Sequence, residues 1–270
     1  MPPSRPLLRY HGGKWKLAPW IVSHFPAHRV YVEPFGGGAS VLLRKAPSYA
    51  EVYNDLDSEL VNAFRMVRER GAELAELLTL TPFAREEFAL SYEPAADPLE
   101  QARRTIVRSF QGFGSNSHNK PTGFRSNSNR SGTTPARDWR RYPEAMTATI
   151  DRLRGVVIEN RNALEVMAAH DGAETLHYVD PPYVAGTRDA GGDYRFELSD
   201  QQHRELSELL HSLKGYVVLS GYASELYEQL YGDWLRVERP THADGGRPRT
   251  EVLWLSPNVS LPRSLLGEVA

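Results

Sequence analysis

The sequence has 270 residues, of which 40% are hydrophobic and 24% charged, a composition typical of a globular protein with a sizeable core. Neither a membrane-length apolar run nor the apolar region of a signal peptide is visible, so we expect a cytoplasmic protein without membrane partners. Cysteine is absent, which excludes disulfides, thiolate metal sites and any mechanism with a cysteine nucleophile.

The charge is unevenly distributed along the chain. The formal net charge is −2, but residues 101–154 carry 11 Lys and Arg against 3 Asp and Glu. A basic segment within an acidic remainder favours a polyanion as partner. A solvated arginine-rich helix face would have the same composition, and charge alone does not separate the two.

The first part of the chain predicts two strand-turn-helix units. Residues 29–43, RVYVEPFGGGASVLL, are typical of a buried strand, a glycine-rich turn and a helix. Residues 50–53 predict a second strand, after which Leu60, Phe64 and Val67 fall at helical spacing. Two such units in succession indicate a parallel α/β sheet.

After these two units the sequence pattern becomes helical and then irregular. Helical patterns follow without strands between them, and the stretch GFGSNSHNKPTGFRSNSNRSGTTPARDW predicts a long loop or irregular hairpin. Four strands are predicted beyond it: 155–160, 175–180, 215–220 and 251–256. We therefore predict a doubly wound, mostly parallel sheet from residues 1–60 and 155–270, with a largely helical insert at 61–154.

The clearest helix is predicted within LSDQQHRELSELLHSL. Ser199 and Gln202 are placed as a capping box at its start. Its apolar stripe consists of four leucines: Leu206, Leu209, Leu210 and Leu213. This pattern predicts a helix that packs one face on the sheet.

Three segments with polar or glycine residues follow predicted strands: EPFGGG, NDLD and DPPY. Ligands of open α/β sheets bind beyond the carboxyl ends of strands, so one crevice could take all three. The glycines, followed by a helix that begins near Ala39, would let the backbone approach a ligand. Glycine-rich turns also occur as structural connections without a ligand. Asp55 lies about 20 residues further, where an acid commonly accepts ribose hydrogen bonds; helix capping by Asp55 or Asp57 is the alternative. A nucleoside-containing cofactor fits, whereas the absence of Lys-Ser/Thr after the glycines argues against a P-loop.

The DPPY turn suits an amino group on a planar ring. Such an amine is a poor nucleophile because its lone pair is delocalised. Asp180 supplies a carboxylate oxygen and Pro181 a backbone carbonyl, so both amine hydrogens could be held while the nitrogen rehybridises toward an electrophile. Tyr183 offers a ring face to the base. A rigid turn after a strand is the structural alternative.

The segments RYHGGKWKL, VEPFGGGAS, YNDLDSEL and YVDPPY, in that order, resemble the Dam-like, class I adenine-specific DNA methyltransferases. RTEVLWLS near the end is similar to a late strand of that family. The resemblance implies methyl transfer from S-adenosylmethionine to the exocyclic nitrogen of adenine in a short site of double-stranded DNA. Direct displacement of this kind needs neither a metal nor a covalent enzyme intermediate, and the target base must be flipped out.

The resemblance also assigns roles to single residues. Asp180, Pro181 and Tyr183 match the catalytic turn. Eight residues match cofactor-binding positions: Tyr10, Lys14, Pro34, Phe35, Gly37, Asp55, Asn162 and Asp180. The match of Asn162 is loose, and Ala39 departs from the family pattern Phe-x-Gly-x-Gly at its last position, a change that helix packing tolerates.

The insert matches the position of the family's target-recognition domain. Four residues of its polar loop are candidates for DNA contact: Arg125, Asn127, Asn129 and Arg130. Three arginines lie in a helical pattern, Arg103, Arg104 and Arg108, and only some of them can face DNA, since residues one apart do not share a face. They are assigned to phosphate or structural contacts. Neither the recognition sequence nor a restriction endonuclease partner follows from the sequence.

The residues alone do not separate this function from methyl transfer to other conjugated amines. DPPY chemistry also suits the exocyclic amine of cytosine and the adenine of RNA. A DNA-binding regulator without catalysis is disfavoured by the intact Asp180, Asp55 and Lys14. A dinucleotide-dependent oxidoreductase is disfavoured because the glycines do not follow G-x-G-x-x-G. Methylation of cytosine carbon 5 is excluded, because it needs a cysteine nucleophile.

Overall fold

The computed structural model describes residues 2–127, 132–187, 195–242 and 248–260. These residues form a sheet of seven strands: β1 (Val30–Glu33), β2 (Ala50–Asn54), β3 (Val156–Glu159), β4 (Thr175–Val179), β5 (Tyr216–Gly221), β6 (Leu235–His242) and β7 (Pro248–Leu255). Their order across the sheet is β3-β2-β1-β4-β5-β7-β6. The predicted doubly wound, mostly parallel sheet is confirmed.

The strand order reverses between β1 and β4, which are neighbours in the sheet although β2 and β3 separate them in the chain. β1 lies parallel to both β2 and β4, and β4 lies parallel to β5, whereas β7 runs antiparallel to β5 and β6. The chain therefore proceeds outward from β1 on one side and from β4 on the other. Such a switch point opens a crevice at the carboxyl ends of the two central strands.

Eleven α-helices accompany the strands in the described residues: α1 (Ala18–Ser23), α2 (Ser40–Arg44), α3 (Ser58–Glu69), α4 (Gly71–Leu80), α5 (Arg85–Leu90), α6 (Pro98–Gln111), α7 (Pro135–Arg140), α8 (Tyr142–Leu153), α9 (Ala163–Ala169), α10 (Asp200–Ser212) and α11 (Glu225–Tyr231). The predicted loop ended too late, because α7 begins within it. Pro135 occupies the first turn of α7, and the Thr134 side chain caps it by accepting from the Arg137 N–H.

The chain divides into two compact units. Unit 1 comprises Met1–Trp15, Gly37–Arg44 and Asp57–Ile158, and unit 2 comprises Lys16–Gly36, Lys45–Leu56 and Glu159–Ala270. The predicted insert falls within unit 1, together with the N-terminal segment and α2. Its assignment to target recognition stays a prediction.

Aromatic side chains pack the interior of unit 1. The ring centroids of Phe110 and Tyr142 are 4.4 Å apart, and the Trp139 ring stacks parallel to Tyr142 at 5.7 Å. The polar ends of these rings are satisfied, since Trp139 Nε1 donates to the Thr81 carbonyl and the Tyr142 hydroxyl to the Leu7 carbonyl. These contacts fix α7 and α8 against the rest of unit 1.

In unit 2, α10 packs on the sheet as predicted. Ser199 and Gln202 form the capping box. Leu206 and Leu210 are buried against Leu219 and Trp254, while Leu209 and Leu213 pack partly buried on the same cluster. This apolar layer supports β4, β5 and β7 from one side.

Candidate functional site

The DPPY turn begins where β4 ends. All five residues of β4 are buried, and Asp180 follows directly after Val179 at the carboxyl end of the strand. Asp180 is half-buried and Pro181 is buried. Two successive prolines offer no N–H to a neighbouring strand, so the ladder ends there and the turn is rigid.

The Tyr183 hydroxyl contacts side chains of two neighbouring strands, β5 and β7. The Tyr183 side chain is 6% exposed, and its hydroxyl donates to Glu251 Oε1 on β7 at 2.5 Å. Ser220 Oγ on β5 donates to the same oxygen at 2.6 Å and lies 3.3 Å from the tyrosine hydroxyl. Burial, and then the carboxylates of Asp180 and Glu251, raise the pKa of Tyr183 well above its usual value. The hydroxyl therefore stays protonated and acts as a donor.

A cavity of about 540 Å³ opens beside this turn, a size typical of a small-molecule site. Tyr222 joins the cavity to the turn, because its ring contacts the Tyr183 ring edge to face at 4.7 Å. The cavity is lined by residues 184, 186, 187, 222–226, 249 and 250.

Asn54, the last residue of β2, joins three strand ends. It is fully buried, and its amide nitrogen donates to the Pro34 carbonyl at 2.9 Å and to the Arg161 carbonyl at 3.0 Å. Its side-chain oxygen accepts from the Arg161 N–H at 2.9 Å. The sequence pattern contained Asn54 within NDLD but gave it no role.

Asp55 follows Asn54 and is half-buried at the carboxyl end of β2. Asn160 donates its side-chain amide to the Asp55 carbonyl at 2.8 Å, which fixes the backbone at this point. The capping alternative applies to Asp57, whose carboxylate accepts from the Glu59 and Leu60 N–H groups. Asp55 is thus not the residue that caps α3.

The glycine-rich turn is tightly packed. A Cβ at Gly36 would fall within the Tyr53 ring, and one at Gly37, where φ is +48°, would lie 2.9 Å from the Tyr10 ring. Ala39 also has a positive φ, of 51°. Alanine at this position is therefore a strained departure from the family pattern, not the mild one expected from helix packing.

Two further predicted cofactor residues, Tyr10 and Lys14, belong to unit 1. Tyr10 packs against Gly37 and Gly38, and its ring is 5.8 Å from that of His118. Lys14 is buried, and its ammonium group donates to the Gly12 carbonyl at 3.1 Å. Their role in cofactor binding stays a prediction.

Asn162 has a structural position. It is exposed and caps α9, where its side-chain oxygen accepts from the Leu164 N–H at 2.8 Å. The sequence did not predict this cap, and the loosely matched contact to a cofactor stays a prediction.

Comparison with known proteins decides the family. The model of the D12 class of N6 adenine-specific DNA methyltransferases matches residues 10–242. The chain belongs to this family. The resemblance to Dam-like adenine-specific DNA methyltransferases that the motifs carry is thereby confirmed, and a D12 methyltransferase acts on adenine in DNA.

Curated relatives of this D12 methyltransferase have similar lengths. A protein of Lactococcus lactis subsp. cremoris named Type II methyltransferase M1.LlaDCHI is 28% identical over 85% of each chain. A DNA adenine methylase of Serratia marcescens is 27% identical over 86% of this chain and 88% of its own. A DNA adenine methylase of Salmonella typhi is 25% identical over 97% of this chain and 99% of its own.

In this D12 methyltransferase the polar loop starts as an irregular hairpin. Gly112 and Phe124 form an isolated antiparallel bridge. Arg125 donates from its guanidinium to the Phe110 carbonyl at 2.9 Å, and Asn127 is exposed. The other two candidates for DNA contact, Asn129 and Arg130, lie outside the described residues.

The arginines of α6 have structural partners. Arg103 pairs with Glu87 at 2.8 Å, and both Arg103 and Arg104 pair with Glu100 at 2.7 Å. Hydrogen bonds from these two guanidinium groups lower the pKa of Glu100 to about 2. Arg108 pairs with Glu59 of α3 and donates to the Ser91 carbonyl. Of the two predicted roles, the structural one applies.

A different set of arginines is exposed. Arg137 and Arg140 lie in α7 and Arg141 directly follows it; Arg140 and Arg141 come three and four residues after Arg137, so each neighbours Arg137 on the helix surface. Asp138, the acid among them, is paired with Arg5 at 3.3 Å. The chain thus carries an exposed basic face, defined by these three arginines, that the sequence had not separated from the rest of the segment.

Within residues 2–127, 132–187, 195–242 and 248–260, no cluster of three or more His, Cys, Asp or Glu could hold a metal ion. In the same ranges no helix is long and apolar enough to cross a membrane.

Proposed function

We propose that this chain transfers a methyl group from S-adenosylmethionine to the exocyclic nitrogen of an adenine flipped out of duplex DNA, at the DPPY turn. The observation that carries the proposal is the position of Asp180, directly after β4 at the switch point of the sheet, in a chain of the D12 family. A carboxylate at this position faces the crevice in which open α/β sheets bind ligands.

Asp180 and Pro181 act on the target amine. The Asp180 carboxylate accepts a hydrogen bond from one N–H of the amine, and the Pro181 carbonyl accepts one from the other N–H. With both hydrogens held, the nitrogen lone pair is released from the ring and directed away from it. Because the turn is stiffened by two prolines and Tyr183 is anchored below, these acceptors need little reorganisation when charge develops on the nitrogen.

Residues at the ends of β1 and β2 suit the cofactor. Asp55 offers a half-buried carboxylate to ribose hydroxyls, and Phe35 a partly buried ring beside the Pro34 backbone. The Asn54 side-chain amide donates to the Pro34 carbonyl and so holds this part of the backbone in place. When bound, S-adenosylmethionine supplies an electrophilic methyl group on a sulfonium centre. Tyr10, Lys14, Gly37 and Asn162 complete the proposed set by resemblance alone.

The cavity beside DPPY is the proposed pocket for the flipped base. It adjoins Tyr222 and the residues that follow Tyr183. Its volume of about 540 Å³ admits a purine with part of its sugar. Aromatic surface in such a pocket offsets the loss of stacking when a base leaves the duplex.

DNA contacts are assigned to unit 1. The exposed basic face of Arg137, Arg140 and Arg141 would bind phosphates, which position a protein without reading sequence. Arg125 and Arg130 of the polar loop are the proposed base-reading residues, and Asn127 and Asn129 are proposed as further DNA contacts. Action in the cytoplasm is part of this proposal.

The test is the identity of the product. DNA from cells that express the wild-type chain, or Asp180→Ala as control, is hydrolysed and its modified bases are separated. We expect N6-methyladenine with the wild type only. N4-methylcytosine instead, or labelled methyl groups entering RNA and not DNA, would overturn the proposal in favour of the two alternative amine substrates.

A further inference from the structure

The buried carboxylate of Glu251 is hydrogen-bonded to Tyr183, the last residue of the DPPY turn. Glu251 is on β7, 68 residues after Tyr183 in the chain, and is 2% exposed. A carboxylate loses much hydration energy on burial, so it needs strong hydrogen bonds in return. Two donors lie within bonding distance of one oxygen: the hydroxyls of Tyr183 at 2.5 Å and Ser220 at 2.6 Å.

The three side chains come from different parts of the sheet. Ser220 lies on β5, and its strand partner on β7 is Leu253, two residues from Glu251 and therefore on the same face. Glu251 in turn lies beside Arg239 of β6. The carboxylate is thus carried by the central strand of the β5-β7-β6 ladder.

We infer that Glu251, together with Ser220, is a positioning residue that fixes the Tyr183 ring for stacking on the target base. This inference rests on the proposed function. The hydroxyl of Tyr183 is the donor in this contact, and residues that follow Tyr183 line the cavity. A hydrogen bond to a carboxylate carried on the sheet restricts rotation of the ring and keeps the ring in one arrangement relative to Asp180.

A double-mutant cycle separates this role from a general structural one. The variants are Tyr183→Phe, Glu251→Ala, the double variant, and the near-isosteric Glu251→Gln. Each single loss should lower kcat about tenfold or more, the effect of losing a hydrogen bond to a charged group, with little change in KM for S-adenosylmethionine. In the Tyr183→Phe background, Glu251→Ala should lower kcat by less than about twofold, since the bond is already missing. Glu251→Gln should retain more activity than Glu251→Ala.

Controls cover folding and the underlying reaction. Glu238→Gln on β6 alters an exposed glutamate of the neighbouring strand and should leave kcat unchanged. If Glu251→Ala does not fold, Ser220→Ala removes one donor only and should lower kcat with the same non-additivity toward Tyr183→Phe.

Two results would overturn the inference: additive losses in the cycle, or losses confined to KM for S-adenosylmethionine. Failure of the proposed function gives a different result, because the wild type would then form no N6-methyladenine. In that case the same cycle is measured on melting temperatures, where additivity of Tyr183→Phe and Glu251→Ala would still refute the coupling.

Discussion

The Asn54 side chain donates to the Pro34 carbonyl at 2.9 Å and so joins the carboxyl ends of β2 and β1. The same amide bonds both the carbonyl and the N–H of Arg161. Asn54→Ala leaves three backbone groups without this partner, and we expect the free energy of unfolding to fall by about 3 kcal/mol. Chemical denaturation measures it.

The matched control is Asn160→Ala. Asn160 also bonds backbone carbonyls through its amide but is exposed, so water can replace it. We expect a loss below about 1 kcal/mol. Equal losses in the two variants would contradict a special role for Asn54.

Ala39 carries backbone strain that glycine would relieve. At φ 51° an L-residue costs about 1–2 kcal/mol, which offsets the buried methyl group and the chain entropy that Ala39→Gly loses. We expect Ala39→Gly to change the free energy of unfolding by less than about 1 kcal/mol. Ala63→Gly, at an equally buried position inside α3, should lose about 2 kcal/mol. Denaturation midpoints give the stability of each variant. Equal losses of unfolding free energy in Ala39→Gly and Ala63→Gly would exclude strain at Ala39.

His177 makes the stability depend on pH. Burial lowers its pKa to about 4, although Asp171, 3.5 Å from its Nε2, opposes this shift. The unfolded chain therefore binds the proton first. The free energy of unfolding is largest above pH 6.5 and should fall as the pH drops toward 4, by about 3 kcal/mol from this residue.

His177→Gln should remove this part of the pH dependence. His28, whose pKa burial also lowers, acts in the same direction and remains in the variant. His211→Gln, on the half-exposed His211, controls for loss of a histidine. Denaturation curves between pH 4 and 7 give the difference. Parallel curves for the wild type and His177→Gln would rule out His177.

The exposed basic face should contribute to DNA affinity without contributing to specificity. Arg137→Ala, Arg140→Ala and Arg141→Ala should each reduce the slope of log affinity against log salt by about 0.9 and weaken all duplexes alike. Arg125→Ala should instead cost about 1–3 kcal/mol at one base position. Arg204→Ala, an exposed arginine of α10 in unit 2, is the control.

Binding to the preferred duplex and to single-mismatch duplexes at several salt concentrations distinguishes these roles. If Arg125→Ala weakens all duplexes alike, the loop is an electrostatic clamp and its base-reading assignment fails. If the α7 variants keep the full salt slope, the basic face lies away from the DNA.

Most of the fold could be predicted from apolar patterns. β1, β2, β4 and β5 are short buried runs next to turn residues, and the helix of Leu206 and Leu210 has one apolar stripe with a capping signal. β6 had no such pattern, because charged residues and Pro240 run through an edge strand. α7 was hidden in a polar stretch, where its Thr-Pro start was too weak a signal.

The site residues that follow strand ends could be predicted from the sequence, whereas the side chains that form hydrogen bonds or ion pairs with site residues could not. Parallel strands bring DPPY and NDLD to one edge of the sheet, so Asp180 and Asp55 follow from topology. The partners of Arg108 and Tyr183 are Glu59 and Glu251, 49 and 68 residues away, and no local pattern encodes such pairs.

The most direct test of the central claim is the rate of methyl transfer by Asp180→Ala in a single turnover, measured beside its DNA affinity. Loss of an acceptor aimed at the reacting amine should lower the rate by about 100-fold or more. Affinity should stay within a few-fold, since phosphate contacts elsewhere dominate it. A rate near that of the wild type, with DNA binding intact, would contradict catalysis at the DPPY turn.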